Sequence, residues 1–560
     1  MNTSPLKTSK TVLLAALFLA WMLPGLVGRD PWKADEPYTF GIVNHILQTG
    51  DWVVPNVAGV PFLEKPPLYF ISAALAARTF APFFELPDAI RLVNIAWILL
   101  TMLFLALAVR ELAGKDAAWN VPVLFMGCLI LLVTAHKMVT DIALLCGIAC
   151  GLYGLAASRE RPAWGGLWAG TGAGIGFLAK GLLAPGILGV VALVLPLLFA
   201  EWRSRAYGRA LFIAAVASLP WLVAWPAALY LRSREYFLEI LWYQNFGRFV
   251  GFARIMKQDT HWYYLLNLPW HGLPVLPLAA WTLWKARAGW RHSPLFQLPL
   301  VTYAVMIGVL SMSASNRDLY ALPTILPLTM IAAAGAGSIP DRARSVIDKG
   351  SVVLFGVLGV ILWGALLAYL LRTPALLKLL PPQTLHYAPL DLRLLAAAIV
   401  ITVFWLVVAA RSLRQAGPPL LSWTAGLVLV WGLAMTLWLP WLEAGTSYRG
   451  LFSSLRSALP GHYHCIASMG IGESERAMIE YYAGVQVRPI DWSGPERCDL
   501  LLVGLDRRNI DTASQPAWTV VWEGHRPDRQ PKEHYTLFRT SPQDRQPSPL
   551  SARMIRLKAN

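Results

Sequence analysis

The chain is short of charge. Only 14% of its 560 residues are Asp, Glu, Lys or Arg, against about 25% in an ordinary soluble protein. With 56% hydrophobic residues and a mean hydropathy of +0.50, that shortage excludes a soluble enzyme and a disordered chain. Metal-binding spacing is also missing, because no His-x-x-x-His, Cys-x-x-Cys or Asp-x-Asp occurs. Neither kind of Gly-rich phosphate loop is present, so no nucleotide cofactor is expected. The five cysteines are too few for a disulfide scaffold. Cys128, Cys146 and Cys150 sit in apolar runs and read as small buried hydrophobes. Cys465 and Cys498 lie in a polar tail, where a disulfide is as expected as free thiols.

What the chain has is a long series of apolar runs. A spanning helix needs about 20 apolar residues, and such runs lie at roughly 11–27, 89–109, 117–134, 139–157, 163–179, 182–200, 210–230, 269–284, 295–314, 320–338, 350–371, 391–409 and 419–440. The formal charge of +16 is gathered between them rather than spread over a face, so nucleic acid is not the expected partner. Lys7/Lys10, Arg110/Lys115, Arg159/Arg161, Arg203/Arg205/Arg209, Lys285/Arg287/Arg291, Arg342/Arg344/Lys349 and Arg411/Arg414 fall in alternate connections. Short basic loops stay in the cytoplasm. The alternation therefore predicts an all-α polytopic membrane protein of about thirteen spans, with the N-terminus inside and the tail outside. The 25 tryptophans suit two interfacial belts.

Two apolar stretches do not fit as spans. Pro67 to Phe80 is too short, and counting it would invert every later loop against its charge. It is expected to lie in the interface plane, as is Thr39 to Gln48 with Ile42, Val43, Ile46 and Leu47 along one side. The membrane domain is placed at 1–445, with a first outer loop over 28–88. Residues 446–560 are dense in charge and carry β-like runs at Leu500–Val503 and Trp518–Trp522. They are expected to form a small α/β domain outside the membrane.

With this topology the outer connections collect residues that lipid would not accept unpaired. The first holds Asp35, Glu36, Tyr38, Glu64 and Lys65, with Tyr69 close behind. The second leads into Asp141, and Lys180 sits at a Gly181 break. The fourth carries Arg248, Arg254, Lys257 and His261, and the fifth Arg317 and Tyr320. Lys65, Lys180 and Arg317, with Tyr320, are candidate ligands for the phosphate of a membrane-carried substrate. Asp35 is the candidate proton acceptor, and Asp141 the second catalytic carboxylate. Glu36, Glu64, Tyr38, Tyr69 and His261 are further substrate-site candidates. Structural alternatives stand beside these roles. Asp35 suits a helix N-cap, and Arg254 and Lys257 suit topology markers. A divalent cation bridging Asp35 and Glu36 to a phosphate also stays open.

These residues resemble a known family. Asp35-Glu36, Gly50-Asp51-Trp52-Val53-Val54-Pro55, Phe62-Leu63-Glu64-Lys65-Pro66-Pro67-Leu68-Tyr69, Asp141, Phe177-Leu178-Ala179-Lys180-Gly181 and Arg317-Asp318-Leu319-Tyr320-Ala321-Leu322-Pro323 resemble the motifs of integral-membrane GT-C glycosyltransferases that use polyprenyl-phosphate sugars. Within that class the chain is most similar to the bacterial lipid A aminoarabinose transferases and their protein O-mannosyltransferase relatives. The resemblance implies a GT-C fold with thirteen helices, two juxtamembrane helices and a periplasmic C-terminal domain. It also implies an inverting transfer with the donor on undecaprenyl phosphate. Asp35 would be the catalytic or acceptor-orienting carboxylate, Asp141 the second outer aspartate, and Lys65, Lys180 and Tyr320 the carrier-phosphate ligands. Two positions depart from the family pattern. Glu36-Pro37-Tyr38 lacks its basic residue, and Ser315-Asn316-Arg317 stands where Ser-Lys-Arg is frequent.

The expected enzyme is a monomer of the bacterial inner membrane with its active site facing the periplasm. It would donate a sugar such as 4-amino-4-deoxy-L-arabinose to lipid A, another glycan or a protein hydroxyl. The competing class is a transporter for a polyprenyl-linked glycan. Its charges would spread to the midplane across a repeat, whereas here they gather at one side.

Overall fold

The computed structural model describes residues 5–247, 250, 262–313, 317–373, 391–414, 417–490, 498–505, 519–526 and 533–539. Helix covers each of the thirteen expected apolar runs. Among the described residues, six helices are long and apolar enough to cross a membrane, or up to eight if two sharply bent pairs are each one span. Lys115–Met126 meets Leu129–Ala135 at 69°, and Leu421–Ala434 meets Leu439–Thr446 at 67°. Four further apolar helices among the described residues are shorter, including Asp141–Ala157 and Leu183–Leu198. Peripheral helices turn apolar side chains outward, among them Phe212, Leu219 and Val223 on Arg205–Arg232 and Val360 on Asp341–Leu370. In water such a surface would be costly; against lipid it is not.

The two stretches excluded as spans are short helices, Asp35–Thr49 and Leu68–Phe80. The polar residues on them and beside them determine how they are held. Tyr69 is fully buried, and its hydroxyl donates to Asn94 Oδ1 at 2.8 Å. Asn94 in turn donates to the carbonyls of Ala135 and Lys137.

Close helix packing brings two of the candidate site residues together. Asp141–Ala157 and Pro162–Lys180 run antiparallel with their backbones almost touching. A Cβ on Gly147 would come 2.5 Å from the nitrogen of Gly176, and one on Gly172 would come 2.3 Å from that of Gly151. Small residues along such a seam let packing hold two helices together in lipid. The N-terminal Asp141 of one helix therefore lies beside the C-terminal Lys180 of the other, each at the helix end whose dipole favours its charge.

The C-terminal region contains a five-stranded sheet in the order Val487–Pro489, Ile466–Met469, Leu500–Leu505, His534–Arg539, Thr519–His525. Ile466–Met469 pairs parallel with both of its neighbours, and the remaining pairs are antiparallel. A disulfide joins Cys465 and Cys498, just ahead of two adjacent strands. This sheet domain packs onto the Asp35–Thr49 helix. Gly41 allows the approach, since a Cβ there would lie 2.6 Å from that of Ala477, and Phe40 meets Tyr481 edge to face at 4.6 Å.

Candidate active site

Asp35 opens its helix. Its carboxylate accepts from the Tyr38 hydroxyl at 3.1 Å and from Arg317 Nη2 at 3.1 and 3.3 Å. Lys65 Nζ donates to the Tyr38 hydroxyl at 2.5 Å. Tyr38 itself stacks on Phe62 at 5.1 Å, so the Glu64-Lys65 turn is fixed against the helix. Burial alone would raise the Asp35 pKa, but the charges of Lys65 and Arg317 outweigh it and hold the carboxyl below the ordinary aspartate value. Tyr38 is pushed well above the usual phenol range by burial, then by the negative charges of Asp35, Asp141 and Glu64. It remains a neutral donor.

Lys180 pairs with Asp141 Oδ1 and lies 4.3 Å from the centre of the Tyr320 ring. Gly181 follows at a φ of +70°, a backbone turn that L side chains rarely adopt. Asn245 Oδ1 fills the space where a Cβ would be and accepts from the Leu182 amide at 3.0 Å. Arg317 and Tyr320 flank Asp318, which accepts from the Tyr263 hydroxyl at 2.5 Å and from His271 Nε2 at 3.0 Å. Asp35, Tyr38, Lys65, Asp141, Lys180, Arg317 and Tyr320 thus converge from separate connections at one end of the bundle. Beside them Pro66, Phe177, Trp225, Phe237 and Ile240 line a narrow apolar cleft.

Glu36 has a different placement. It is fully buried and faces inward, bonded to Arg29 at 2.5 and 3.0 Å and to Arg91 Nε at 3.2 Å. It also accepts from the amides of Trp32 and Met138. Burial opposes its charge, yet Arg29 and Arg91 hold its pKa down to about 2. Glu36 and Asp35 therefore do not form a joint carboxylate face. Among the described residues, no group of three or more His, Cys, Asp or Glu is placed to hold a metal. Tyr69 belongs to the Asn94 network described above, and Glu64 lies near enough to Tyr38 to raise its pKa. His261, Arg248, Arg254, Lys257, Ser315 and Asn316 lie outside the described residues.

Sequence reasoning passed over Arg29 and Arg91, the two cations that hold Glu36. The available signal was an arginine at the entrance to a long apolar run, which membrane burial makes costly unless paired. It also passed over Lys33, which reaches the sheet domain.

Residues 64–227 match the family model described as dolichyl-phosphate-mannose-protein mannosyltransferase. The chain is 26% identical over 483 residues to an undecaprenyl phosphate-alpha-4-amino-4-deoxy-L-arabinose arabinosyl transferase of Serratia proteamaculans, covering 83% of each. It is 27% identical over 445 residues to the protein of that name in Pseudomonas aeruginosa, covering 76% of this chain and 75% of the relative. In structure it is similar to ArnT from Cupriavidus metallidurans bound to undecaprenyl phosphate. The TM-score is 0.70 at 17% identity, over 94% of this chain and 97% of that one. The chain has that protein's fold.

Proposed function

We propose that the chain is a polyprenyl-phosphate-dependent membrane glycosyltransferase of the aminoarabinose-transferase type, moving its sugar from undecaprenyl phosphate to an acceptor such as lipid A with inversion. The observation that carries this reading is the convergence of Lys65 and Arg317 on the partly buried Asp35, with the Lys180–Asp141 pair close by and an apolar cleft beside them. A lipid phosphodiester needs both halves of that arrangement. Its phosphate takes Lys65, Lys180 and Arg317, and its prenyl chain leaves along Pro66 and Phe177. Asp35 accepts the proton of the attacking acceptor oxygen, or orients that oxygen, opposite the phosphate. The new bond forms at the anomeric carbon as the bond to the phosphate oxygen breaks. The carrier phosphate departs directly, its charge held by the same cations and by the Tyr320 hydroxyl. Asp141 braces Lys180.

The same reading assigns thirteen crossings, with the cluster and the sheet domain in the periplasm of a bacterial inner membrane and a domain boundary near residue 445. The support is that basic connections alternate along the sequence, while Asp35, Asp141, Lys180 and Arg317 share the opposite end. A reporter fused after Pro440 is expected outside, and fusions near Arg205, Arg287 or Arg342 inside. A cytoplasmic tail would overturn the assignment.

Lys65→Met tests the donor site most cleanly, because Lys65 donates to the neutral Tyr38 hydroxyl and Asp35 keeps its ion pair with Arg317. A hydrogen-bonded charge of this type is worth about 2–5 kcal/mol. Affinity for undecaprenyl phosphate should therefore fall by at least roughly tenfold. Lys180→Met should do the same, with folding measured in parallel because Asp141 loses its partner. Unchanged affinity in both variants would remove them from the phosphate site. Lipid A supplied beside a hydroxyl-bearing peptide distinguishes the acceptors; transfer to the peptide alone would make the protein-glycosylating alternative correct.

A further inference from the structure

The helix that begins with Asp35 lacks the usual means of fixing its own start. Its N-cap position is Ala34, whose methyl group makes no capping hydrogen bond. The residues ahead of it, Pro31 to Ala34, are not in a helix or strand. The start of the helix is therefore not fixed by a cap, although the proposed reaction depends on Asp35 at its first position.

Contacts from the sheet domain supply what is missing. Lys33 Nζ donates to Glu475 Oε1 at 2.9 Å and also pairs with Glu533. Ser474 Oγ donates to the carbonyl of Ala34 at 2.7 Å. Three hydrogen bonds from two segments of the domain thus fall on the two residues immediately before Asp35. The clamp is itself braced. Tyr448 donates to Glu475 Oε1 at 3.1 Å, Tyr535 donates to Glu533 Oε2 at 3.1 Å, and Arg526 pairs with Glu533 at 3.1 Å. Two cations face two carboxylates in this partly buried group. Burial works against the Lys33 charge, but the bonds to Glu533 and Glu475 more than compensate, and Glu533 is lowered in turn. Upstream, Arg449 grips Asp30 at 2.6 Å, and Ser447 donates to the same carboxylate.

We propose that the C-terminal sheet domain is a working part of the catalytic centre: Lys33, held by Glu475 and Glu533, together with the Ser474–Ala34 hydrogen bond, positions the Asp35 carboxylate for transfer. This rests on the glycosyltransferase reading above. Lys33 is a positioning residue and touches no substrate. Exposed ion pairs usually contribute little to stability. The consequence of this one is geometric, since a misplacement of about 1 Å at a reacting group can cost 10²-fold in rate.

The test uses the full-length enzyme with undecaprenyl-phosphate aminoarabinose as donor. It measures kcat, KM, affinity for undecaprenyl phosphate and thermal stability. Lys33→Met is expected to lower kcat by at least roughly tenfold, with carrier affinity within about twofold of the parent. Lys33→Arg should recover most of the rate, because it keeps the charge and reach. Combining Lys33→Met with Glu475→Gln and Glu533→Gln should cost little more in rate than Lys33→Met alone, since all three act through one clamp. If the single variant fails to fold, the double variant Lys33→Met with Glu475→Gln carries the test, because the remaining Glu533 keeps Arg526 as its partner.

A lower melting temperature with unchanged kcat per folded enzyme would overturn the proposal and leave the contact purely structural. So would a loss that appears in carrier affinity rather than in kcat. If the parent enzyme turns over no polyprenyl-phosphate sugar, the functional reading fails and the clamp's role fails with it. A fully active parent with equally active variants defeats the clamp alone.

Discussion

Asp35→Asn is expected to abolish nearly all transfer, by about 10²- to 10⁴-fold in kcat, while the protein folds and still binds its carrier. The amide keeps the size of the carboxylate and can still accept from Tyr38 and Arg317, whose contacts lie at 3.1 Å. What it loses is basicity and charge. Carrier affinity is the control, because Lys65 and Lys180 are untouched.

The pH dependence follows from the same contacts. Lys65 and Arg317 hold the Asp35 carboxyl below its ordinary value despite burial, so the ionised form persists as pH falls. The contribution of the pair to stability is present above the unfolded value of about 3.9 and is lost only as pH drops through the lower folded value. The acid limb of the kcat/KM profile should accordingly lie below that of a free aspartate. A folded Asp35→Asn enzyme within about twofold of the parent rate would demote Asp35 to an orienting residue. An isolable sugar–enzyme adduct would point instead to nucleophilic catalysis. The Asp141→Asn variant, assayed against the same donor, decides between the two carboxylates.

Glu36→Gln is expected to destabilise the protein by about 3–5 kcal/mol, the usual cost of stranding a buried charge. Arg29 and Arg91 are almost wholly buried, and both donate to this one carboxylate. Arg91 keeps Asp88 at 2.6 Å, but for Arg29 Glu36 is the sole carboxylate within ion-pair distance among the described residues. Neutralising Glu36 removes the charge that offsets Arg29 and places amide hydrogens against a guanidinium. A sharply lower melting temperature in detergent and faster proteolysis are the expected results. Adding Arg29→Met should recover part of the loss, because the stranded charge is then gone. A single variant that melts with the parent would show that the network adds no stability. The sign with pH is the same as for Asp35. Glu36 is held to about 2, so its stabilisation is complete above about 4.3 and is lost only as pH falls through that low value.

Asp35 and Glu36 show what a sequence can and cannot disclose about a site. As neighbours of like charge in one motif, they look equally available for chemistry. Consecutive helix positions differ by about 100° around the axis, so two adjacent carboxylates can enter different surroundings. One meets Arg317, 282 positions away, and the other meets Arg91, 55 positions away. Nothing local tells these partners apart, and the same is true of Lys33 and Glu533, 500 positions apart. Lys180 was more legible, because Gly181 and the apolar run around it already marked a charged residue at a helix end.

The sequence alone determined where helices form, that Pro67 to Phe80 is too short to span, and that the candidate site charges lie in connections apart from the basic clusters. These properties depend on hydropathy summed over one or two dozen neighbouring residues and on basic clusters between the runs, both local in the chain. Only the tertiary structure decided the two sharp bends in the spanning pairs, the seam that brings Asp141 to Lys180, and the docking of the sheet domain on the Asp35–Thr49 helix. Each of these depends on partners brought together by packing, where geometry rather than composition sets which charge meets which.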